Sequence, residues 1–436
     1  WPHNTTTQDS ADDNCFRRHL CKLSKESMSD TIADEILRNG YAKTFTRHSV
    51  FLTGSTGSLG GCLLYKLALQ LPTQKIFVLI RGSAESAIEK WRRLMPKQTQ
   101  AILNTGKVHF VVGDIKKTDF GIEEAELSRL REEVTLVIHT AATITLDAGI
   151  VESIENNCLP SLELAKIVSR FRRLKLFLQI STAYVSSFLP DGYVGERVYS
   201  ISDADPEDEL AAILSTGNSL DTARFSSSYT HAKYLMERLL LKRYPLLPLL
   251  LVRPTIFGAA MRDPYPLYGP INSTPMNKFA SLFFADRGGT HIWHATEGYE
   301  TGANIVDEIP VDFVANGCLL HAASRTQGIV HLGAQLYVPF TFDDFLRLAE
   351  ASAPPSIQKE LPSLIFTQDR NAPQSLLADL VKVSTRNWVF DCGRSYWLKQ
   401  MAGPLSLAAC KHDVDALNSA RIKEIYENTV KKLAKL

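Results

Sequence analysis

A glycine triplet set between an apolar strand and a helix constrains this chain more than any other feature. Val50-Phe51-Leu52 reads as a short buried strand, and Thr53-Gly54-Ser55-Thr56-Gly57-Ser58-Leu59-Gly60 follows at once. Gly54 permits a tight turn, Gly57 lets backbone approach a pyrophosphate, and Gly60 lets helix and strand pack closely. The helix beginning near Ser58 offers unpaired N–H groups and its positive dipole end to phosphates, with Thr56, Ser58 and Leu59 in the cradle. A bare triplet would be an ordinary turn. Strand, glycine loop and helix in that order is what dinucleotide binding requires.

The pattern around the loop repeats. Apolar strands are predicted over 75–80, 108–112, 134–139, 174–180 and 249–252, with one more over 330–332. Helical stretches over 59–71 and 84–95 separate the first of them. Continuous apolar strands between helices imply a parallel sheet covered on both faces. The fold class is therefore α/β, doubly wound and Rossmann-type, with a smaller, mainly helical substrate-binding region at the C-terminus. The expected organisation is a polar tail and helix over 1–46, with disorder over 1–14 and the helix over 26–40. A Rossmann domain then spans 47–335, with a Pro-rich, loop-rich, substrate-lining insert about 255–300 and an apolar helix over 311–323. The region 336–436 is expected to be helical, ending in an amphipathic helix over 413–436.

Composition removes several function classes. The 436 residues carry 48 basic and 47 acidic side chains, so the basic footprint of a nucleic-acid binder is missing. No apolar run approaches the ~20 residues of a spanning helix, so no transmembrane segment is expected, while peripheral membrane association stays open. The seven cysteines are odd in number and scattered, without a CxxC pair or a zinc-like cluster. No metal site is expected, and the thiols suit a reducing, cytoplasmic compartment.

The dinucleotide itself can be argued. An NAD enzyme places an acidic residue about 20 positions beyond the glycines to bind the ribose 2′-hydroxyl. Here that position, after Val78-Leu79-Ile80, is Arg81. A guanidinium suits a 2′-phosphate, so NADPH is the expected cofactor. Gly113-Asp114-Ile115 after the third strand places Asp114 and Ile115 near the adenine.

Tyr229-Thr230-His231-Ala232-Lys233 opens a helix on which Tyr229 and Lys233 share one face. A phenol near pKa ~10 is a poor acid or base at neutral pH, and a neighbouring ammonium brings it toward the working range. Leu176-Phe177-Leu178-Gln179-Ile180-Ser181-Thr182-Ala183-Tyr184-Val185 supplies a hydroxyl at an upstream strand end.

These motifs together resemble the extended short-chain dehydrogenase/reductase superfamily, in which a Ser or Thr stands three residues before Val. The resemblance implies that Thr182, rather than Ser181, hydrogen-bonds the reacting carbonyl oxygen. It implies that the strand end His139-Thr140-Ala141-Ala142 carries Ala141 and Ala142 past the nicotinamide ribose, with Asn157 supporting the site. Within the superfamily the chain is similar to fatty acyl-CoA reductases and to the terminal thioester reductase domains of peptide and polyketide synthetases. The separation of Thr182 from Tyr229, 47 positions, points that way. So do Val252-Arg253-Pro254-Thr255-Ile256-Phe257-Gly258-Ala259, Asp263-Pro264-Tyr265-Pro266, Gly269-Pro270 and Asp307-Glu308-Ile309-Pro310-Val311-Asp312-Phe313-Val314-Ala315-Asn316, with Pro254 and Thr255 at the cofactor. The likeness runs from about 48 to 335 and weakens near 388–391. The tail departs from the family and reads without the apolar C-terminal anchor of some members.

The implied chemistry is NADPH-dependent reduction of an acyl thioester, on CoA or an acyl carrier protein, to an aldehyde. A second reduction to a primary alcohol is left open. Tyr265, Phe279, Phe283 and Phe284 are candidates to line the acyl site, with plain core the preferred reading for each. Two other readings are carried: a sugar-nucleotide epimerase, dehydratase or hydroxysteroid dehydrogenase of the same fold, and a non-catalytic NADPH-binding scaffold.

Overall fold

Strands built from Val, Ile, Leu and Phe on both faces can be stable only between two layers of helices, and the computed structural model has that arrangement. It describes residues 36, 40–145, 148–269, 274–286, 288–375, 378 and 386–433. The expected disorder over 1–14 lies outside these residues, as does the helix over 26–40 apart from Ile36 and Gly40. In chain order come β1 (Ser49–Thr53), α1 (Ser58–Tyr65), β2 (Lys75–Ile80), α2 (Ala84–Leu94), β3 (Val108–Val112), α3 (Glu124–Glu133), β4 (Leu136–His139), α4 (Leu159–Val168) and β5 (Leu176–Ile180). A short β6 (Gly192–Val194) and α5 (Pro206–Thr216) precede α6 (Ser228–Arg243), β7 (Leu249–Pro254) and β8 (Ile256–Gly258). Then follow α7 (Pro275–Ala285), β9 (Thr290–His294), β10 (Glu308–Pro310), α8 (Val311–Ser324), β11 (Gly328–Leu332), α9 (Phe342–Ser352), β12 (Ser363–Thr367), β13 (Trp388–Phe390) and α10 (Lys411–Leu433).

Seven strands form one parallel sheet in the order β11-β7-β5-β4-β1-β2-β3. Order reverses between β1 and β4, which opens a crevice at their carboxyl ends, the usual ligand position in such sheets. One face buries Leu52, Val78, Ile138, Leu178 and Val252 beneath α1 and α8. The other buries Phe51, Phe77, Val137, Phe177 and Leu251 beneath α3, α4 and α6. Each fully buried side chain of this kind contributes about 1.5–3 kcal/mol.

A third core joins the insert to the tail. Phe279 and Phe284 of α7 and Trp293 of β9 pack with Phe342 and Phe345 of α9 and with Val414, Ile422 and Ile425 of α10. Two differences from the sequence expectation follow. The stretch after Phe340 is not helical throughout: β12 pairs with β9, and β13 with β6. These are short parallel pairs between distant segments, which leave no hairpin or alternation signal in the sequence. The Pro-rich insert is likewise more regular than loop-like, because Pro275 occupies the first turn of α7 beside the Thr274 cap. The four aromatics proposed for the acyl site are bracing residues. Phe279, Phe283 and Phe284 are buried in the third core, and Tyr265 donates its hydroxyl to Leu94 O at 2.7 Å.

The acidic block near Asp307 works as three clamps. Asp307 accepts from Ala334 N at 2.7 Å, and Glu308 forms an ion pair with Arg421 of α10. Asp312 accepts from Met261 N, Arg262 N and Asp263 N at 2.9–3.2 Å. Burial still raises the Asp312 carboxyl above its ordinary value and pushes Asp307 up to about 6. Among the described residues no His, Cys, Asp or Glu cluster could hold a metal ion, and no helix is long and apolar enough to cross a membrane.

Candidate active site

The three glycines have separable roles in the structure. Gly54 has φ +76°, and a Cβ there would stand 2.6 Å from Ala141 N. A Cβ on Gly60 would stand 2.1 Å from Gly54 O, so helix and loop can approach only without it. Gly57 differs: a Cβ there would meet nothing closer than Gly54 O at 3.4 Å. No protein atom forces glycine at this position, which fits backbone left bare for a ligand. Gly57 starts α1, so the N–H groups of Ser58, Leu59 and Gly60 have no earlier turn to bond and are free for phosphate oxygens. The Trp91 indole braces the loop from below, donating to Ser55 O at 3.0 Å.

Beside the loop, Thr53 Oγ1 bonds His139 Nδ1 at 2.6 Å and Thr140 Oγ1 donates to Thr53 O at 2.8 Å. Ala141 and Ala142 leave β4 at this point. Asn157 holds the segment that follows, with Oδ1 accepting from Thr143 N at 2.9 Å and Nδ2 donating to Thr143 O at 3.1 Å. It is buried, so it is not the surface residue of a plain helix. Arg81, at the carboxyl end of β2, is exposed and makes no ion pair among the described residues. The Asp114 carboxylate accepts from Lys116 N at 3.1 Å, a turn-forming contact, and Ile115 packs on the second core. Pro254 and Thr255 close β7 beside Leu332. The glycine cradle, the open N–H groups and the unpaired Arg81 suit a dinucleotide.

The catalytic candidates come from two elements. Ser227 caps α6 in a capping box with Thr230, fixing where the helix begins. Tyr229, Lys233 and Glu237 then lie on one face. Lys233 is buried and donates to Ile180 O at 3.0 Å, which docks α6 on the end of β5. Its Nζ stands 6.0 Å from the Tyr229 ring centroid. Thr182 lies two residues beyond Ile180, where its Oγ1 accepts from Tyr184 N at 3.3 Å and keeps its own proton free to donate. The neighbouring Ser181 hydroxyl is buried without a partner. The Tyr229 hydroxyl makes no hydrogen bond among the described residues. Burial lowers the Lys233 ammonium to about 8 and raises the Tyr229 phenol. Burial therefore outweighs the lowering expected from the ammonium, and the Tyr229 phenol stays protonated at neutral pH. Buried His139 is held near 3, and so neutral, by desolvation with the Lys233 charge adding to it.

One functional pair escaped the sequence reading. Arg253 of β7 donates through Nε to Glu237 Oε1 at 2.9 Å and through Nη1 to Arg197 O at 2.9 Å, and its Nη2 completes a bidentate pair with Glu237. Both side chains are 1% exposed. Glu237 lies one turn beyond Lys233, so its position in the Tyr/Lys series was the available signal.

Comparison with known proteins follows the geometry. The family model described as Male sterility protein, an NAD-binding domain, matches residues 52–318. Fatty acyl-CoA reductase 2 of Mus musculus is 26% identical over 294 residues, covering 63% of this chain and 54% of that protein. The chain thus spans about half the length of such curated relatives. Among solved structures, the terminal R domain of the myxalamid PKS-NRPS pathway superposes with a TM-score of 0.59 at 19% identity, covering 89% of this chain and 92% of that one. UDP-glucuronic acid 4-epimerase from Bacillus cereus, in complex with NAD, gives 0.55 at 16% identity, with 87% and 97% covered. These two likenesses establish the extended Rossmann-type fold. The family match contains the glycine cradle, the end of β5, the Tyr229/Lys233 face and the acidic clamps, and the chain belongs to the Male sterility protein family.

Proposed function

We propose that this protein reduces acyl thioesters with NADPH, releasing an aldehyde. The observation that carries the reading is Lys233 docked on Ile180 O, which holds the helix bearing Tyr229 against the end of β5, two residues before Thr182. The names of the curated relatives support an acyl-CoA substrate, and those of the solved R domains support a thioester on a carrier.

NADPH, when bound, supplies a hydride equivalent for the thioester carbonyl carbon. The N–H groups of Ser58, Leu59 and Gly60 would hold its pyrophosphate and Arg81 its 2′-phosphate. Thr182 and Tyr229 donate hydrogen bonds to the carbonyl oxygen and stabilise the negative charge that grows on it. Tyr229 gives up its proton to that oxygen, forming a hemithioacetal. Breaking its C–S bond releases thiol and aldehyde. The Lys233 ammonium stabilises the Tyr229 phenolate until solvent returns the proton.

Product analysis after incubation with NADPH and a panel of acyl-CoA and acyl-carrier-protein thioesters tests the reading. Aldehyde or alcohol formation is expected. NADPH consumption confined to a sugar nucleotide or a steroid would replace it.

Two further outcomes are expected. Arg81→Asp should weaken NADPH use by about tenfold or more while sparing NADH, because one charge-assisted phosphate contact contributes roughly 1.5–3 kcal/mol. Equal losses in kcat/KM for both cofactors would remove the 2′-phosphate role. The pH profile should follow Lys233, which is charged below about 8 and loses its proton above it. Since Tyr229 stays protonated through this range, reductive kcat/KM should hold below that value and fall above it. A profile flat to about pH 10, the ordinary lysine range, would show that Lys233 titrates unperturbed or is not needed.

A further inference from the structure

A cavity of about 340 Å³ opens beside the start of α6, and its walls come from distant segments of the chain. One wall is catalytic ground. Ser226 stands three residues before Tyr229, Ser187 five residues after Thr182, and Ser226 N donates to Ser187 Oγ at 3.0 Å. At most ~3.6 Å of chain per residue places this wall within roughly 10 Å of the Tyr229 backbone. The other wall comes from the β9/β12 pair that packs on the third core: His294 at the end of β9 and Arg370 beyond β12, while Arg386, before β13, is tied to Asp191 on the β6 side. Arg224 completes the ring.

Three arginines thus line one space, and among the described residues no carboxylate lines it. Their existing partners leave charge to spare. Arg370 donates to Ala295 O at 2.7 Å and makes no ion pair among the described residues. Arg224 reaches Asp221 only at 3.5 Å and is half-exposed. Arg386 is the structural member, paired with Asp191 and stacked 4.2 Å over Trp388. The His294 ring is occupied by Ala372 O at 2.7 Å. Like charges gathered at a pocket repel one another unless an anion is drawn in. Planar guanidinium forks match the oxygens of a phosphate. Phe225 and Trp388 give the lining an apolar share, but an acyl chain would leave the arginine charges uncompensated.

We propose that this cavity binds a phosphate of the pantetheine arm that carries the thioester, chiefly through Arg224 and Arg370. The assignment rests on the thioester reading above and names the end of the substrate that the reading left open. The phosphate can belong to CoA or to the prosthetic arm of a carrier protein.

The test is a double variant, Arg224→Ser with Arg370→Ser, both at exposed or half-exposed positions, with NADPH binding as the check on folding. KM for a long-chain acyl-CoA is expected to rise about tenfold with kcat within about twofold, as loss of charge-assisted contacts made equally in ground and transition states requires. The matching acyl-N-acetylcysteamine thioester, which has no phosphate, should show no such rise. Equal shifts for both substrates, or none for either, would overturn the proposal. A shift shared by acyl-CoA and acyl-carrier protein supports the phosphate on pantetheine itself, and a shift with acyl-CoA alone would overturn it in favour of the nucleotide end. Calorimetry with free CoA separates this inference from the function. If the unaltered protein reduces no thioester, the functional reading falls by itself, and CoA binding decides the cavity. Binding weakened about tenfold in the variant keeps it, and equal affinity or no binding removes it.

Discussion

Tyr229→Phe is expected to lower the rate of thioester reduction about a thousandfold while leaving NADPH affinity within about threefold, because a positioned proton donor contributes roughly 10²–10⁴. The phenyl ring keeps its shape and its place beside Lys233, so the helix and the cradle should persist. Lost are the donor to the developing oxyanion and the proton that closes the hemithioacetal. Thr182 would still offer one hydrogen bond, which is why residual activity is expected. Single-turnover hydride transfer, followed by loss of NADPH fluorescence, isolates the step. A variant that turns over at the unaltered rate would remove Tyr229 from the chemistry and with it the case for acid catalysis here.

Glu237→Ala should cost about 3–5 kcal/mol of stability, the range for leaving one partner of a buried ion pair uncompensated. Arg253 is 1% exposed in β7 and would keep only its bond to Arg197 O, so its charge would be left largely uncompensated. The pair also bolts α6 to the sheet one turn from Lys233, so catalysis should suffer with stability. Glu237 is the main group holding the Lys233 ammonium up against burial. Its loss therefore moves the alkaline fall in activity to lower pH. Denaturant midpoints measure the first effect and the pH profile the second. Replacing both residues by Met should recover most of the stability, since apolar groups of similar volume avoid the desolvation cost. A Glu237→Ala protein as stable as the parent would show that the pair is hydrated and dispensable.

Legibility differed by region for physical reasons. The seven strands of the main sheet and the glycine loop were readable because their signals are local: an apolar run, a turn, a cap. β2 and β3 occupy the residues the pattern marked, 75–80 and 108–112. The tail was not readable in the same way. β12 and β13 find their partners in β9 and β6, far back in the chain, and periodicity carries nothing about such pairings. The aromatics of the insert illustrate the same limit. Phe279 and Phe284 suited a substrate wall as candidates but plain core better, and the closing of α9 and α10 over them gives the core.

The site divides along the same line. Tyr229 and Lys233 could be paired from spacing alone because a helix places every fourth residue on one face. By itself the sequence settled the doubly wound class and singled out the glycine loop and the Tyr/Lys face as candidates, since each depends on neighbours within a few residues. Only the tertiary structure decided that Lys233 docks on the end of β5, that burial keeps Tyr229 protonated, that Asn157 clamps the loop after β4, and that arginines from distant segments meet at one cavity. Those outcomes depend on desolvation and on contacts between distant segments, and neither is written in local order.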